Sequence, residues 1–204
     1  QQFANKCGIH KAAEKYATVV FAILSFITKH KHPNLFCHDQ GLLYTNGKQV
    51  PVSWMNAVEN GEPIVPRTGY LVEINALWYN ALKFAAELAN VKGEDSQTDL
   101  YNYQAEMTAR AFVSCFWNGS YLYDFVDDDY CDKEVRPNMI FAFSLPYSPL
   151  DKKQQKAVVD IITRELLTPK GLRSLSPKSG MYRPEYIGGQ LEKKVIQVIN
   201  IKSL

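Results

Sequence analysis

The sequence has no block of lysine or arginine, no acidic run longer than three aspartates, no CxxC pair and no apolar stretch of membrane-spanning length. Its 23 basic and 21 acidic residues leave a net charge of +2. The electrostatic footprint of a nucleic-acid binder is therefore missing, and a neutral partner fits better. The most apolar stretch, 18–28, is about half of the ~20 residues a membrane span needs. No succession of charged, apolar and small residues resembles a signal peptide. These absences predict a soluble, cytoplasmic protein with no nucleic-acid or membrane partner.

The four cysteines, Cys7, Cys37, Cys115 and Cys131, are scattered. A chain of 204 residues with 46% apolar content fills a core without staples, so they read as reduced thiols. His30, His32, Cys37 and His38 are zinc-type donors, but their spacing matches no usual structural site, and a solvated loop is the reading taken. Asp127, Asp128 and Asp129 lack the glycine and distal glutamate of a calcium loop and read as a turn. Neither a metal nor a cofactor is expected. Asn118-Gly119-Ser120 is formally a glycosylation acceptor and carries no weight here.

What the chain has in quantity is helical periodicity. Ala13, Tyr16, Ala17, Val20, Leu24 and Ile27 predict a helix over about 12–30, with Pro33 and Asn34 beyond its exit. Gly41, Asn46-Gly47 and Pro51 mark a turn-rich loop in which Leu42, Leu43 and Tyr44 suit a short strand. Ile74, Leu77, Trp78, Ala81, Ala85 and Leu88 predict a second helix over 73–90, closed by Gly93. Ser96 and Asp99 have capping-box spacing before a third helix ending near residue 117. Tyr121 to Val126 suit a strand, and a short apolar helix is expected over about 138–145. Ser148-Pro149-Leu150-Asp151 looks like the start of a fifth helix, with proline at its first position and Pro169 and Gly171 beyond its end. Five helices joined by short turns and long loops predict one all-α domain of antiparallel helix pairs, with small β-hairpin decorations in the loops.

Several motifs fall in an ordered series. Gly41-Leu42-Leu43-Tyr44 is followed by Val52-Ser53-Trp54-Met55-Asn56-Ala57 and Pro66-Arg67-Thr68-Gly69. Then come Val72-Glu73-Ile74-Asn75-Ala76-Leu77-Trp78-Tyr79-Asn80-Ala81-Leu82 and Arg136-Pro137-Asn138. Gly171-Leu172-Arg173-Ser174-Leu175 and Tyr182-Arg183-Pro184-Glu185-Tyr186 close the series. Over roughly 40–188 the chain resembles the amylo-α-1,6-glucosidase family, the C-terminal glucosidase domain of glycogen-debranching enzymes.

The resemblance implies an (α/α)₆ toroid of the six-hairpin glycosidase type, of which this chain is expected to hold part. It implies an α-glucan partner, glycogen or limit dextrin, whose α-1,6-linked branch glucose is hydrolysed with inversion. Trp54, Arg67, Glu73, Asn75, Trp78, Tyr79, Arg136 and Asn138 have the planar polar groups and aromatic rings that hold a neutral sugar. Plainer roles exist for three of them. Trp78 lies on the apolar stripe, Glu73 suits a helix N-terminus, and Arg136 is an ion-pair candidate for Asp127, Asp128 or Asp129.

The chain departs from the family in two places. Inverting hydrolysis needs a carboxylic acid and a carboxylate about 6.5–9.5 Å apart. Where the resemblance places the acid, in a Trp-Met-Asp motif, this chain has Asn56, whose amide cannot protonate a leaving oxygen. Glu59 and Glu62, in the same loop, are the substitutes at hand. Beyond Tyr186 the expected His- and Trp-rich stretch and its catalytic base give way to a divergent tail, 189–204. A complete toroid needs on the order of 400 residues, so a single-domain fragment is expected, able to self-associate through the open edge of its helix array. A non-catalytic α-glucan-binding remnant of the same fold is the alternative, and a trehalase-like or glucoamylase-like enzyme a more distant one.

Overall fold

The computed structural model describes residues 1–48 and 50–184. Two helices open the chain, α1 (Gln2–Cys7) and α2 (Ile9–Thr28), hinged at Gly8 in a positive-φ conformation. Short strands follow: β1 (Leu35–Cys37), β2 (Leu43–Thr45), the hairpin β3 (Val58–Glu59) and β4 (Glu62–Pro63), and β5 (Gly69–Leu71). The helical pair α3 (Val72–Val91) and α4 (Asp95–Phe116) forms the centre. After it come β6 (Phe125–Asp127), β7 (Tyr130–Cys131), a 3₁₀ turn over Pro137–Ile140 and α5 (Phe141–Ser144). Last are α6 (Lys152–Glu165) and the hairpin β8 (Leu167–Thr168) and β9 (Gly171–Leu172).

The all-α expectation, and the partial toroid with it, is overturned. About 49% of the structure is helical, but a five-stranded antiparallel sheet in the order β1-β2-β5-β6-β7 makes the fold mixed α and β. One row crosses all its strands, Phe36 against Tyr44, Tyr44 against Tyr70, Tyr70 against Val126 and Val126 against Cys131. The reason for the miss is length. Each strand has only two or three residues, below the four or more over which alternation becomes readable, and the pairings that join the sheet, β2 with β5 and β5 with β6, are distant in sequence. What reads as loop decoration is a continuous sheet.

The long helices α2, α3, α4 and α6 keep close to the expected ranges because their apolar periodicity is long, while the six-residue α1 was not expected and the helix expected over 138–145 is a 3₁₀ turn followed by the short α5. α3 is buried around much of its circumference, from Val72 and Ala76 through Trp78, Leu82 and Ala85 to Leu88 and Ala89. Alanines at 12, 13 and 17 let α2 approach Leu88 closely, while Leu24 meets Leu82 and Ala86 in a second cluster. A third cluster joins α4 to α6 and the 3₁₀ turn through Phe112, Phe116, Met139, Val158 and Leu166. Two start signals shift. α4 begins at Asp95, so Ser96 lies inside the helix and no side chain caps it. α6 is capped by Asp151 and Gln154 in a reciprocal box, and Pro149 precedes the cap instead of opening the helix. No helix among the described residues is long and apolar enough to cross a membrane.

Candidate functional site

Gly69 sets the geometry of the site. With φ 102° and Val126 O only 2.2 Å from where a Cβ would stand, it lets β5 lie directly against β6. That contact brings Arg67, just before β5, and Glu73, in the first turn of α3, up to Asp124, just before β6. All three are buried, with Arg67 3% exposed, Glu73 2% and Asp124 1%.

Arg67 pairs with Glu73 through both terminal nitrogens, in the fork geometry that guanidinium and carboxylate share. Its Nε lies 2.9 Å from Asp124 Oδ2, and Nη2 donates to the Asp124 carbonyl at 3.2 Å. Arg136, also buried, places Nε 3.6 Å from the same Asp124 oxygen. Burial alone would lower the Arg67 pKa, but Asp124 and Glu73 outweigh it and raise it. Burial pushes the Glu73 carboxyl upward against the opposing pull of Arg67. Two guanidinium groups thus face two carboxyl groups in a nearly neutral, water-poor cluster.

From this floor a relay runs outward. Asn138 Nδ2 donates to Asp124 Oδ1 at 2.6 Å, and Asn138 Oδ1 accepts from Trp54 Nε1 at 2.7 Å. The Asn138 amide also approaches Met55 Sδ at 3.4 Å, and Arg67 Nη1 donates to Ser53 Oγ at 3.2 Å. Three consecutive residues, Ser53, Trp54 and Met55, are therefore stitched to the network, and the next, Asn56, is exposed. The arrangement fixes an aromatic ring over a rigid polar floor.

Trp54, Arg67, Glu73, Arg136 and Asn138 come together in this network, while Asn75, Trp78 and Tyr79 lie outside it. Asn75 bridges α3 to β2, accepting from Leu43 N at 2.7 Å and donating to Leu43 O and Leu71 O at 3.0 Å. Trp78 is buried and donates to Gly41 O at 3.1 Å, and Tyr79 packs against the cluster that holds Trp78. Glu59 and Glu62 are backbone partners in the β3–β4 hairpin, turned by Asn60 and Gly61, both with positive φ. Arg136 pairs with Asp124 and not with 127–129. Asp127 instead accepts from Tyr44 Oη at 2.7 Å, and Asp128 sits in the β6–β7 turn with φ 49°.

Asp124 is the residue that sequence reasoning missed. The available signal was an acid inside the aromatic and β-branched run from Tyr121 to Val126, where a strand has no use for a charge without a partner. The zinc-type donors are not gathered: His38 pairs with Tyr70 Oη at 2.7 Å, and His32 Nδ1 accepts from Asn34 N at 3.1 Å. Among the described residues no group of three His, Cys, Asp or Glu side chains is placed to hold a metal ion.

Residues 3–196 match the family described as amylo-alpha-1,6-glucosidase. The chain belongs to that family. The match begins well before Gly41 and ends beyond Tyr186, so it takes in the α1–α2 hairpin as well as the motif series. No individual curated protein matches the sequence. Family membership makes this a glycosidase domain of the glycogen-debranching type, and the buried network lies within the matched residues.

Proposed function

We propose that this chain acts as an amylo-α-1,6-glucosidase domain on the α-1,6 branch linkages of glycogen or limit dextrin in the cytoplasm, using Trp54 and Asn138 to seat the branch glucose. The relay from Asp124 through Asn138 to Trp54 supports this reading most directly. A neutral sugar is held by flat apolar contact and by planar hydrogen-bonding groups, and the relay fixes one ring against one amide, with Asn56 beside them at the surface.

The chemistry is the family's inverting acid and base. Glu73 and Asp124 are poor candidates for either role, because paired guanidinium groups already occupy them. Asn56, at the acid's position, contributes a hydrogen bond to the sugar and no proton. Glu59, carried next to it on the β3–β4 hairpin, is the substitute acid, with Glu62 opposite it. Asn56 also favours a second reading, in which the domain binds branched α-glucan without cleaving it.

Titration with a branched limit dextrin, followed by calorimetry and a glucose assay, tests both. Saturable binding weakened about tenfold by Trp54→Ala is expected under either. Glucose release that Glu59→Gln abolishes supports the enzyme, and binding without release supports the binding domain. Binding that Trp54→Ala leaves unchanged refutes the proposed glucose site.

A further inference from the structure

A second concavity lies on the side of β7 and α6, with neither Trp54 nor Asn138 in its lining. It is a cleft of about 900 Å³, within the size range that encloses small organic ligands. Tyr121, Tyr123 and Tyr130 line one part of it. Tyr130 stands at the rim, 58% exposed, held by the Phe125 ring at 5.6 Å. Elsewhere the lining carries Asp132 and Glu134, and the buried carboxylate of Glu165.

The charges narrow the ligand. Glu165 is already satisfied: Ser176 Oγ and Lys178 Nζ each donate to it at 2.8 Å, and these bonds outweigh burial and hold its pKa below the ordinary value. Lys178 is thereby committed, leaving Lys133 as the remaining cation against Asp129, Asp132 and Glu134. Such a lining repels phosphate and other anions. Asp132 Oδ1 already accepts from Glu134 N at 2.7 Å, so the carboxylates left to meet a ligand's donors are those of Asp129 and Glu134, which a purely apolar ligand would leave unmet. A ligand with apolar ring faces and many hydroxyl donors satisfies both the tyrosines and the acids.

We propose that this cleft binds a linear α-1,4-glucan segment, the unbranched part of the polymer whose branch point the Trp54 site would take. The inference rests on the α-glucan reading of the chain but not on the Trp54 site itself. Two sites on one polymer raise the effective concentration of each for the other. Maltopentaose, a linear probe with no branch, separates them.

In calorimetric titration of the full chain, wild type is expected to bind maltopentaose. Tyr130→Ala should weaken that binding about tenfold, Tyr130→Phe should keep it, and Trp54→Ala should leave it unchanged. Circular dichroism confirms that each variant is folded, and Tyr130 is exposed enough for the ring to be removed safely. The proposal is overturned if wild type does not bind maltopentaose or if Tyr130→Ala binds as wild type does. It is equally overturned if Trp54→Ala loses as much as Tyr130→Ala. Failure of the Trp54 site alone appears differently, as limit dextrin binding untouched by Trp54→Ala while the Tyr130 effect remains.

Discussion

A single carboxylate, Asp124, serves Arg67, Arg136 and Asn138 while being 1% exposed. Removing it strands the buried Arg136 guanidinium and the Asn138 amide and leaves Arg67 with Glu73 alone, and breaking a buried pair from one side costs about 3–5 kcal/mol. Asp124→Ala is therefore expected to lower the unfolding free energy by that amount, read as a lower urea midpoint at an unchanged denaturant slope. Asp124→Asn, which keeps the shape and one acceptor oxygen, should fall between the two. A midpoint within experimental error of wild type for Asp124→Ala would show that the arginines find other partners. The same residue shows what the sequence conceals. Arg67, Glu73 and Asn138 were legible because they sit inside long motifs. Asp124 stands in a short aromatic run, and its role depends on strand pairing that brings residues 67 and 124 together.

The long helices α2, α3, α4 and α6 were legible to within a few residues because each repeats its apolar pattern over several turns, as α3 does from Val72 to Ala89, whereas the six-residue α1 was not expected. The sheet was not, because its strands are too short to repeat anything and are defined by their partners. One trace of it is nevertheless visible in the sequence: glycine at 69, which closes a family motif. In the folded chain that position combines φ 102° with a Val126 carbonyl 2.2 Å from any added Cβ. A methyl group there forces both an unfavourable backbone conformation and the separation of β5 from β6. Gly69→Ala should cost about 3 kcal/mol from strain and overpacking together. It should also loosen the site, since the same contact carries Arg67 to Asp124. Thermal melting measures the first effect, and limit dextrin affinity the second. An alanine variant as stable as wild type would mean that the two strands do not need their close approach.

For the whole molecule the question is what covers α2. Its inner face is spent on α3 through Ala13, Ala17 and Leu24, yet Tyr16, Val19, Ile23 and Phe26 remain 37%, 56%, 54% and 45% exposed. Their 3-4-3 spacing is that of a coiled-coil seam, and no charged residue falls between Tyr16 and Thr28 to interrupt it. An identical stripe on a second copy is its natural complement, because a twofold axis lets each ridge of side chains pack into the gaps of the other. If the chain self-associates, as the sequence leads one to expect from an open helix array, this stripe on α2 is the surface it would use. Sedimentation velocity should show a monomer–dimer equilibrium that shifts with protein concentration. Ile23→Glu, which places a charge at the centre of the seam without touching the inner face, should hold the protein monomeric over the same range with unchanged helical circular dichroism. Leu77→Glu, at an exposed position on α3, serves as the control and should dimerise as wild type does. Equal dimerisation of wild type and Ile23→Glu would place the contact elsewhere, and a strictly monomeric wild type would show that two copies of the seam do not bury enough apolar surface to offset the entropy of association.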